Sequence, residues 1–162
     1  MSKPRAHISN PDEDDVVEAV VACATDVVDG DWGNRQWVHL FVDFEIDQSG
    51  ERTSSISFAL GNRPGEQIEK VSFRLSPQAK RSFAALADSM GASPNGRWTS
   101  AQLRIAPDGN YDMIYSYAAP YRLSGNLIDD RFRDYVAQWM ANANVTAGPA
   151  ARTSFWRKIF GS

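Results

Sequence analysis

A long strand with large side chains on both faces lies in the first third of the chain. In "RQWVHLFVDFEID", residues 35 to 47, one alternating set of residues is wholly apolar: Val38, Leu40, Val42, Phe44 and Ile46. A period of two is typical of a β-strand with one buried face. The opposite set combines rings with ionisable groups: Trp37, His39, Phe41, Asp43 and Glu45. We therefore expect a core under the first face, and a second packing layer or a partner protein against the second.

Local start and stop signals predict the remaining elements. An acidic start and a valine stripe predict a first helix that Gly30 ends, and Ser76 with Pro77 opens a second helix that Gly91 ends. Alternating apolar residues predict strands in "TSSISFALG" and "IEKVSFRL", and a last helix is predicted from about 128 to 140. The apolar stripe of that last helix consists of Phe132, Tyr135, Val136 and Trp139. The predicted fold is α+β, in the order α-βββ-α-ββ-α: a curved antiparallel sheet of about five strands with helices packed mainly on one face.

The stretch "RWTSAQLRIAPDGNYDMIYSY", residues 97 to 117, predicts a β-hairpin. Its turn consists of Pro107, Asp108, Gly109 and Asn110. This is strong turn chemistry, because glycine adopts a positive φ without steric cost. One face of the outgoing strand is formed by Tyr111, Met113, Tyr115 and Tyr117. We expect this face to pack partly against the helices, with phenol groups at its rim.

Length and composition indicate a single domain. The chain has 162 residues, a mass of 18.0 kDa and 43% hydrophobic residues, which is enough to build a core. We divide it into a flexible leader at 1–11, one α+β domain at 12–141, a linker at 142–151 and a basic aromatic tail at 152–162. No apolar run approaches the roughly 20 residues of a membrane helix, and the N-terminus has no apolar secretion signal. We therefore expect a cytoplasmic protein without stable membrane insertion.

Residues with catalytic chemistry are few, and no fingerprint connects them. The lone Cys23 excludes an internal disulfide, and its place on an apolar helix stripe is typical of an inert thiol. His39 shares a strand face with Asp43 and Glu45, which suggests a hydrolase or a metal-dependent enzyme as one hypothesis. Positions 39 and 43 are about 13 Å apart along an extended strand, however, which favours a polar strand face over a shared metal ion. We predict no catalytic residue, metal or cofactor.

The segment from Asp12 to Asp31 contains eight acidic residues and no Lys or Arg. The helix dipole explains the first four, but carboxylates in the last turn oppose it. Either this is a solvated helix face, or these groups join Asp43 and Glu45 in a negative surface that steers a basic partner. The net charge of −3 and the pI of about 5.3 argue against nucleic-acid binding. With aromatic anchors added, the candidate partner-binding residues are Asp26, Asp29, Asp31, Trp37, Asp43, Glu45, Tyr117 and Tyr121.

The tail "RTSFWRKIFGS" has the opposite charge. It combines Arg152, Arg157 and Lys158 with apolar residues at helical spacing. One hypothesis is that it folds back into a groove on its own domain or on a neighbouring chain, which leaves a homodimer open. The other is that it is a basic amphipathic anchor, in which case the chain is a membrane-surface or scaffold adapter.

The segments around "WVHLFVDFEI" and "RWTSAQLRIAPDGNYDMIYSY", preceded and followed by a helix, resemble the YezG-like immunity protein family. The resemblance covers roughly residues 12 to 141. It rests on a tryptophan-headed strand, a turn and a tyrosine-rich strand in that order. The matching positions here are Trp98, Asp108, Gly109, Tyr111, Tyr115 and Tyr117.

What the resemblance implies is a bacterial antitoxin that has no chemistry of its own. Members of such a family neutralise a secreted or contact-delivered toxin, often a nuclease, by binding directly to it. An acidic surface with aromatic anchors suits that task, because Tyr and Trp supply a large contact area at a small entropic cost. The expected partner is a cognate protein toxin.

Overall fold

A computed structural model describes residues 11–31, 36–92 and 96–145. The helices among them are α1 (Pro11–Asp31), α2 (Pro77–Met90) and α3 (Tyr135–Val145). The strands are β1 (Gln36–Ile46), β2 (Thr53–Asn62), β3 (Glu69–Ser72), β4 (Ser100–Ile105) and β5 (Tyr111–Ser116). They form one open antiparallel sheet in the order β3-β2-β1-β4-β5. The predicted α+β class and element order are confirmed.

The main core lies between the sheet and the pair α1 and α2. The apolar face of β1 contributes Leu40, Val42, Phe44 and Ile46, all buried, as the alternation predicted. Phe44 stacks on Phe83 of α2 with ring centroids 4.6 Å apart. The N-terminal signal of α2 is also confirmed, because Ser76 Oγ accepts a hydrogen bond from Ala79 N.

A second, smaller core lies on the opposite face of the sheet. Phe41, Phe58 and Leu60 are buried there beneath the predicted stripe of the last helix: Phe132, Tyr135, Val136 and Trp139. Ring centroids of Phe41 lie 4.9 Å from Phe132 and 4.8 Å from Tyr135. The second packing layer expected from the two-sided strand is therefore supplied by the chain itself.

A β-bulge changes the facing of two residues at the start of β1. The register with β2 shifts between Trp37 and His39, so Val38 is the extra residue. Trp37 packs against the main core and Val38 against the smaller one, the reverse of the sequence prediction. The strict alternation holds only from His39 onwards.

The last helix begins later than predicted and ends later. Residues 121–125 and 131–134 form turns separated by an irregular segment, and α3 begins at Tyr135 instead of Ile128. Asp130 Oδ1 accepts a hydrogen bond from Phe132 N, a local side-chain bond that competes with helical pairing. At its other end α3 continues to Val145, so the first residues of the predicted linker at 142–151 are helical. Of the predicted leader at 1–11 only Pro11 is described, as the first residue of α1, and the tail at 152–162 lies outside the described residues. No helix within the described ranges is long and apolar enough to cross a membrane.

Replacement of Gly50 is expected to destabilise the β1–β2 turn. Gly50 has a φ of 81°, and a Cβ at this position would clash with the guanidinium of Arg97. Arg97 Nη2 lies 3.5 Å from Asp88 Oδ1. We expect Gly50→Ala to lower the free energy of unfolding by about 1–2 kcal/mol for the left-handed backbone, and by up to about 1 kcal/mol more for displacing Arg97 from this ion pair. Gly65→Ala is the matched control, because Gly65 has a φ of 80° with no atom within 4 Å of its Cβ position. Urea denaturation measures both losses; equal losses would contradict the close approach of Arg97.

Candidate functional site

A buried ion network occupies the sheet face beside the smaller core. Asp43 and Glu45 of β1 are each only 1% exposed, and Arg122 is inserted between them from the segment after β5. Arg122 Nη1 lies 2.6 Å from Asp43 Oδ2 and 3.5 Å from Glu45 Oε2. Arg131 Nη2 reaches the same two carboxylates at 3.4 and 3.6 Å. Two negative side chains are thereby balanced by two positive ones.

The Arg122 guanidinium is fully engaged. Its Nε donates to Ser54 Oγ at 2.8 Å, and its Nη2 donates to the carbonyl oxygens of Asp43 at 3.0 Å and Ser54 at 3.1 Å. A planar guanidinium can satisfy this many acceptors at fixed angles, which an ammonium group cannot do. The network therefore fixes the position of the residue 122 backbone as well as its charge.

Glu45 also binds the backbone of the same segment. Its carboxylate accepts hydrogen bonds from the N–H groups of Tyr121, Arg122 and Leu123 at 2.8–3.1 Å. Charge-assisted bonds of this kind are about twice as strong as neutral ones. The sequence expectation that Asp43 and Glu45 belong to an exposed acidic surface is wrong, because both groups are buried and used inside the protein.

The loop that follows this anchor exposes two large apolar side chains. We call residues 124–130, "SGNLIDD", the 124–130 loop; Leu127 is 76% exposed and Ile128 is 97% exposed. The Tyr121 carbonyl accepts from Asn126 N and Nδ2, and the Tyr121 hydroxyl donates to Asp129 Oδ2 at 2.6 Å. The loop is thus closed on itself above a buried anchor, and the apolar pair is at its tip. The sequence prediction missed this tip because it placed Ile128 in a helix. The polar, turn-forming residues on both sides of the apolar pair, "SGN" and "DD", indicate an exposed loop instead.

The aromatic candidates have three different surroundings. Trp37 is half-buried against the main core and is not an exposed anchor. Tyr117 is 42% exposed at the end of β5. Tyr121 is half-buried, with the Arg131 guanidinium 4.1 Å from the centre of its ring. Of these three residues, Tyr117 is exposed enough to contact a partner, as the prediction requires. Tyr121 instead supports the 124–130 loop.

The tyrosines of β5 hold the first helix to the sheet. The Tyr111 hydroxyl donates to Glu13 Oε1 at 2.8 Å, and the Tyr115 hydroxyl donates to Glu13 Oε2. Burial and then this bond raise the pKa of Tyr115 above its usual value of 10.0. The prediction that this face packs partly against the helices is confirmed, and the phenol groups have an internal acceptor.

The acidic helix is exposed only in part of its described length. Asp14, Asp15 and Glu18 face solvent. The side chains of Asp26, Asp29 and Asp31, which were predicted to bind a partner, lie outside the described residues. A shallow cavity of about 260 Å³ separates the N-terminal part of α1 from α2; it is lined by Asp12, Asp15, Gln78, Arg81, Ser82 and Ala85.

His39 is buried among rings and a cation. Its Nε2 lies 2.7 Å from the Tyr135 hydroxyl, and its ring centroid is 5.8 Å from that of Trp139. Burial and then the charge of Arg104 lower the pKa of His39 to about 3. The ring is therefore neutral, and it shares a hydrogen bond with the Tyr135 hydroxyl. The hypothesis of a site combining His39 with Asp43 and Glu45 is not supported by this geometry, since the carboxylates bind arginines.

This histidine predicts a pH dependence of stability. Because its pKa is below the unfolded value of 6.5, the unfolded chain takes up a proton that the folded chain refuses. The free energy of unfolding should fall as the pH is lowered from about 6.5 towards 3, by up to about 1.4 kcal/mol per pH unit. His39→Leu keeps every carboxylate, so the difference between its slope and that of the wild type isolates His39. Urea titrations at several pH values measure both slopes; identical slopes would contradict a neutral buried histidine.

In the described part of the chain, possible metal ligands do not cluster, and the single thiol has a backbone partner. No group of three His, Cys, Asp or Glu side chains in the described part of the chain is arranged to hold a metal ion. Cys23 Sγ accepts a hydrogen bond from Ser76 N at 3.3 Å, which ties α1 to the start of α2. That contact agrees with the structural role expected for this thiol.

Comparison with known proteins adds no relative. Neither the scan against protein-family models nor the search of curated proteins finds a match to this chain. The resemblance to YezG-like immunity proteins remains a prediction from the quoted segments.

Proposed function

We propose that this chain is a non-enzymatic immunity protein, an antitoxin that neutralises a bacterial toxin by binding directly to it. One observation carries the proposal: Leu127 and Ile128 are displayed side by side on a loop that is fixed to a buried ion network. Single exposed apolar residues are common on protein surfaces, but an adjacent pair of this exposure is a signal of association.

The anchor beneath the loop favours tight binding. Association is weakened by the entropy lost when a mobile loop becomes ordered, and a loop that is already held loses less. Glu45 and Arg122 hold the base of the 124–130 loop in place before any partner arrives.

The charges around the loop favour a basic partner. Asp129, Asp130 and Asp134 are exposed beside or within it, while Arg131 is engaged by the buried carboxylates. Negative potential around an apolar contact steers a positively charged protein and raises its association rate. A nuclease is a partner of this kind, because the surface with which it binds the negatively charged phosphates of nucleic acid is positively charged.

Co-expression with a candidate toxin chosen from the neighbouring genes tests the proposal. We expect the two proteins to purify together and the cells to survive toxin production. Survival should be lost when this chain is omitted, which provides the control for toxin activity. A toxin that kills regardless of this chain, and that does not co-purify with it, would contradict the proposal.

A further inference from the structure

We infer that the basic aromatic tail, residues 152–162, docks on the 124–130 loop of the same chain. The inference rests on the proposed function in one respect: the surface on which the tail docks is the loop to which that function assigns partner binding. Its own support is a match between two segments in charge, in apolar character and in reach.

The charges of the two segments are complementary. The tail carries Arg152, Arg157 and Lys158 and no acidic residue. The loop and the residue preceding α3 present exposed Asp129, Asp130 and Asp134. Asp129 and Asp130 already make local bonds to Tyr121 and Phe132, which hold their carboxylates at fixed positions. Opposite charges on segments of one chain attract without the entropic loss of bringing two molecules together.

The apolar groups match as well. The sequence of the tail has large apolar residues at i, i+1, i+4 and i+5, a spacing typical of an amphipathic segment: Phe155, Trp156, Ile159 and Phe160. Leu127 and Ile128 at the loop tip are the two most exposed large apolar residues in the described part of the chain. Covering both sets removes apolar surface from water, which is the dominant driving force of such contacts.

The chain between them is long enough. The tail must return along α3, whose 11 residues are about 16 Å long. The ten residues from Val145 to Phe155 span at most about 33–36 Å. The tail can therefore reach back past the start of α3 to the loop, and a tether of this length gives a high effective concentration.

Hydrogen exchange on the full chain, without any toxin, tests this docking. In the variant Phe155→Ser/Trp156→Ser we expect the amides of residues 124–130 to exchange about tenfold faster than in the wild type. The reciprocal variant Leu127→Ser/Ile128→Ser should accelerate exchange in residues 155–160 by a similar factor. Ser154→Ala is the matched control within the tail and should leave exchange in the loop unchanged.

Unchanged exchange in the loop of the first variant would overturn the inference, as would unchanged exchange in the tail of the second. Protection that increases with protein concentration would also overturn it, because the tail would then be bound by a second copy. Protection of the tail only in the presence of phosphatidylserine vesicles would instead identify a membrane anchor. Since the toxin is absent, these outcomes leave the proposed function untouched, and failure of toxin binding leaves the docking untouched.

Discussion

Replacing Arg122 with Met is expected to lower the free energy of unfolding by about 3–5 kcal/mol. The side chain is 10% exposed, and its removal leaves Asp43 and Glu45 buried with only part of their counter-charge. Arg131 Nη2 lies 3.4 Å from the Asp43 carboxylate and 3.6 Å from the Glu45 carboxylate. It makes no bond to Ser54 that could replace those lost with Arg122. Methionine retains most of the volume, so the loss reports uncompensated charge and not a cavity. Urea denaturation of the variant and the wild type measures the difference.

The control for this prediction is an ion pair on the surface. Arg63 Nη1 lies 3.2 Å from Glu66 Oε1, and both side chains are well exposed. Arg63→Met should therefore change the free energy of unfolding by less than about 1 kcal/mol. Adding Asp43→Asn and Glu45→Gln to Arg122→Met should restore part of the stability, since neutral groups are less costly to bury. An Arg122 variant no less stable than the Arg63 variant would show that the network is not an anchor.

The second large effect concerns association with the proposed toxin partner. We expect Leu127→Ser/Ile128→Ser to weaken binding by about thirtyfold or more, which is about 2 kcal/mol, because central apolar anchors carry most of an interface's energy. The free energy of unfolding should change by no more than about 1.5 kcal/mol, since neither side chain belongs to a buried core and only the contact with the tail is lost. Isothermal titration calorimetry with the toxin measures the affinity, and urea denaturation checks the fold.

Met140→Ser is a suitable comparison for that pair. Met140 is a partly exposed apolar residue of α3, outside the 124–130 loop. Its replacement should leave the affinity for the toxin within about twofold of the wild type, as expected for a residue outside the interface centre. Equal losses from the loop variant and the Met140 variant would show that binding is not centred on the loop.

Local signals sufficed for most of the fold because their causes lie close in sequence. Ser76 caps α2 through the N–H of Ala79, three residues away, and Gly109 adopts its positive φ of 94° within the β4–β5 turn. The alternation in β1 likewise reflects the pleat of one strand. Such features need no knowledge of the rest of the chain.

The site could not be predicted because its partners are remote. Asp43 and Glu45 read as exposed carboxylates until Arg122, 79 and 77 residues further on, is seen between them. The late start of α3, by contrast, has a local cause, since Asp130 Oδ1 accepts a hydrogen bond from Phe132 N. One signal was present: two acids alternating with large apolar residues in a long strand require a cation if that face is covered.

The central claim is the proposal that this chain binds a toxin through an anchored apolar loop, and photo-crosslinking to that proposed partner tests it. The photoreactive residue p-benzoylphenylalanine is placed at Ile128 in one variant and at Asp15, on the exposed face of α1, in another. We predict that position 128 forms a covalent adduct with the toxin and that position 15 does not. Adducts from position 15 together with none from position 128 would place the interface on the acidic helix and contradict the account.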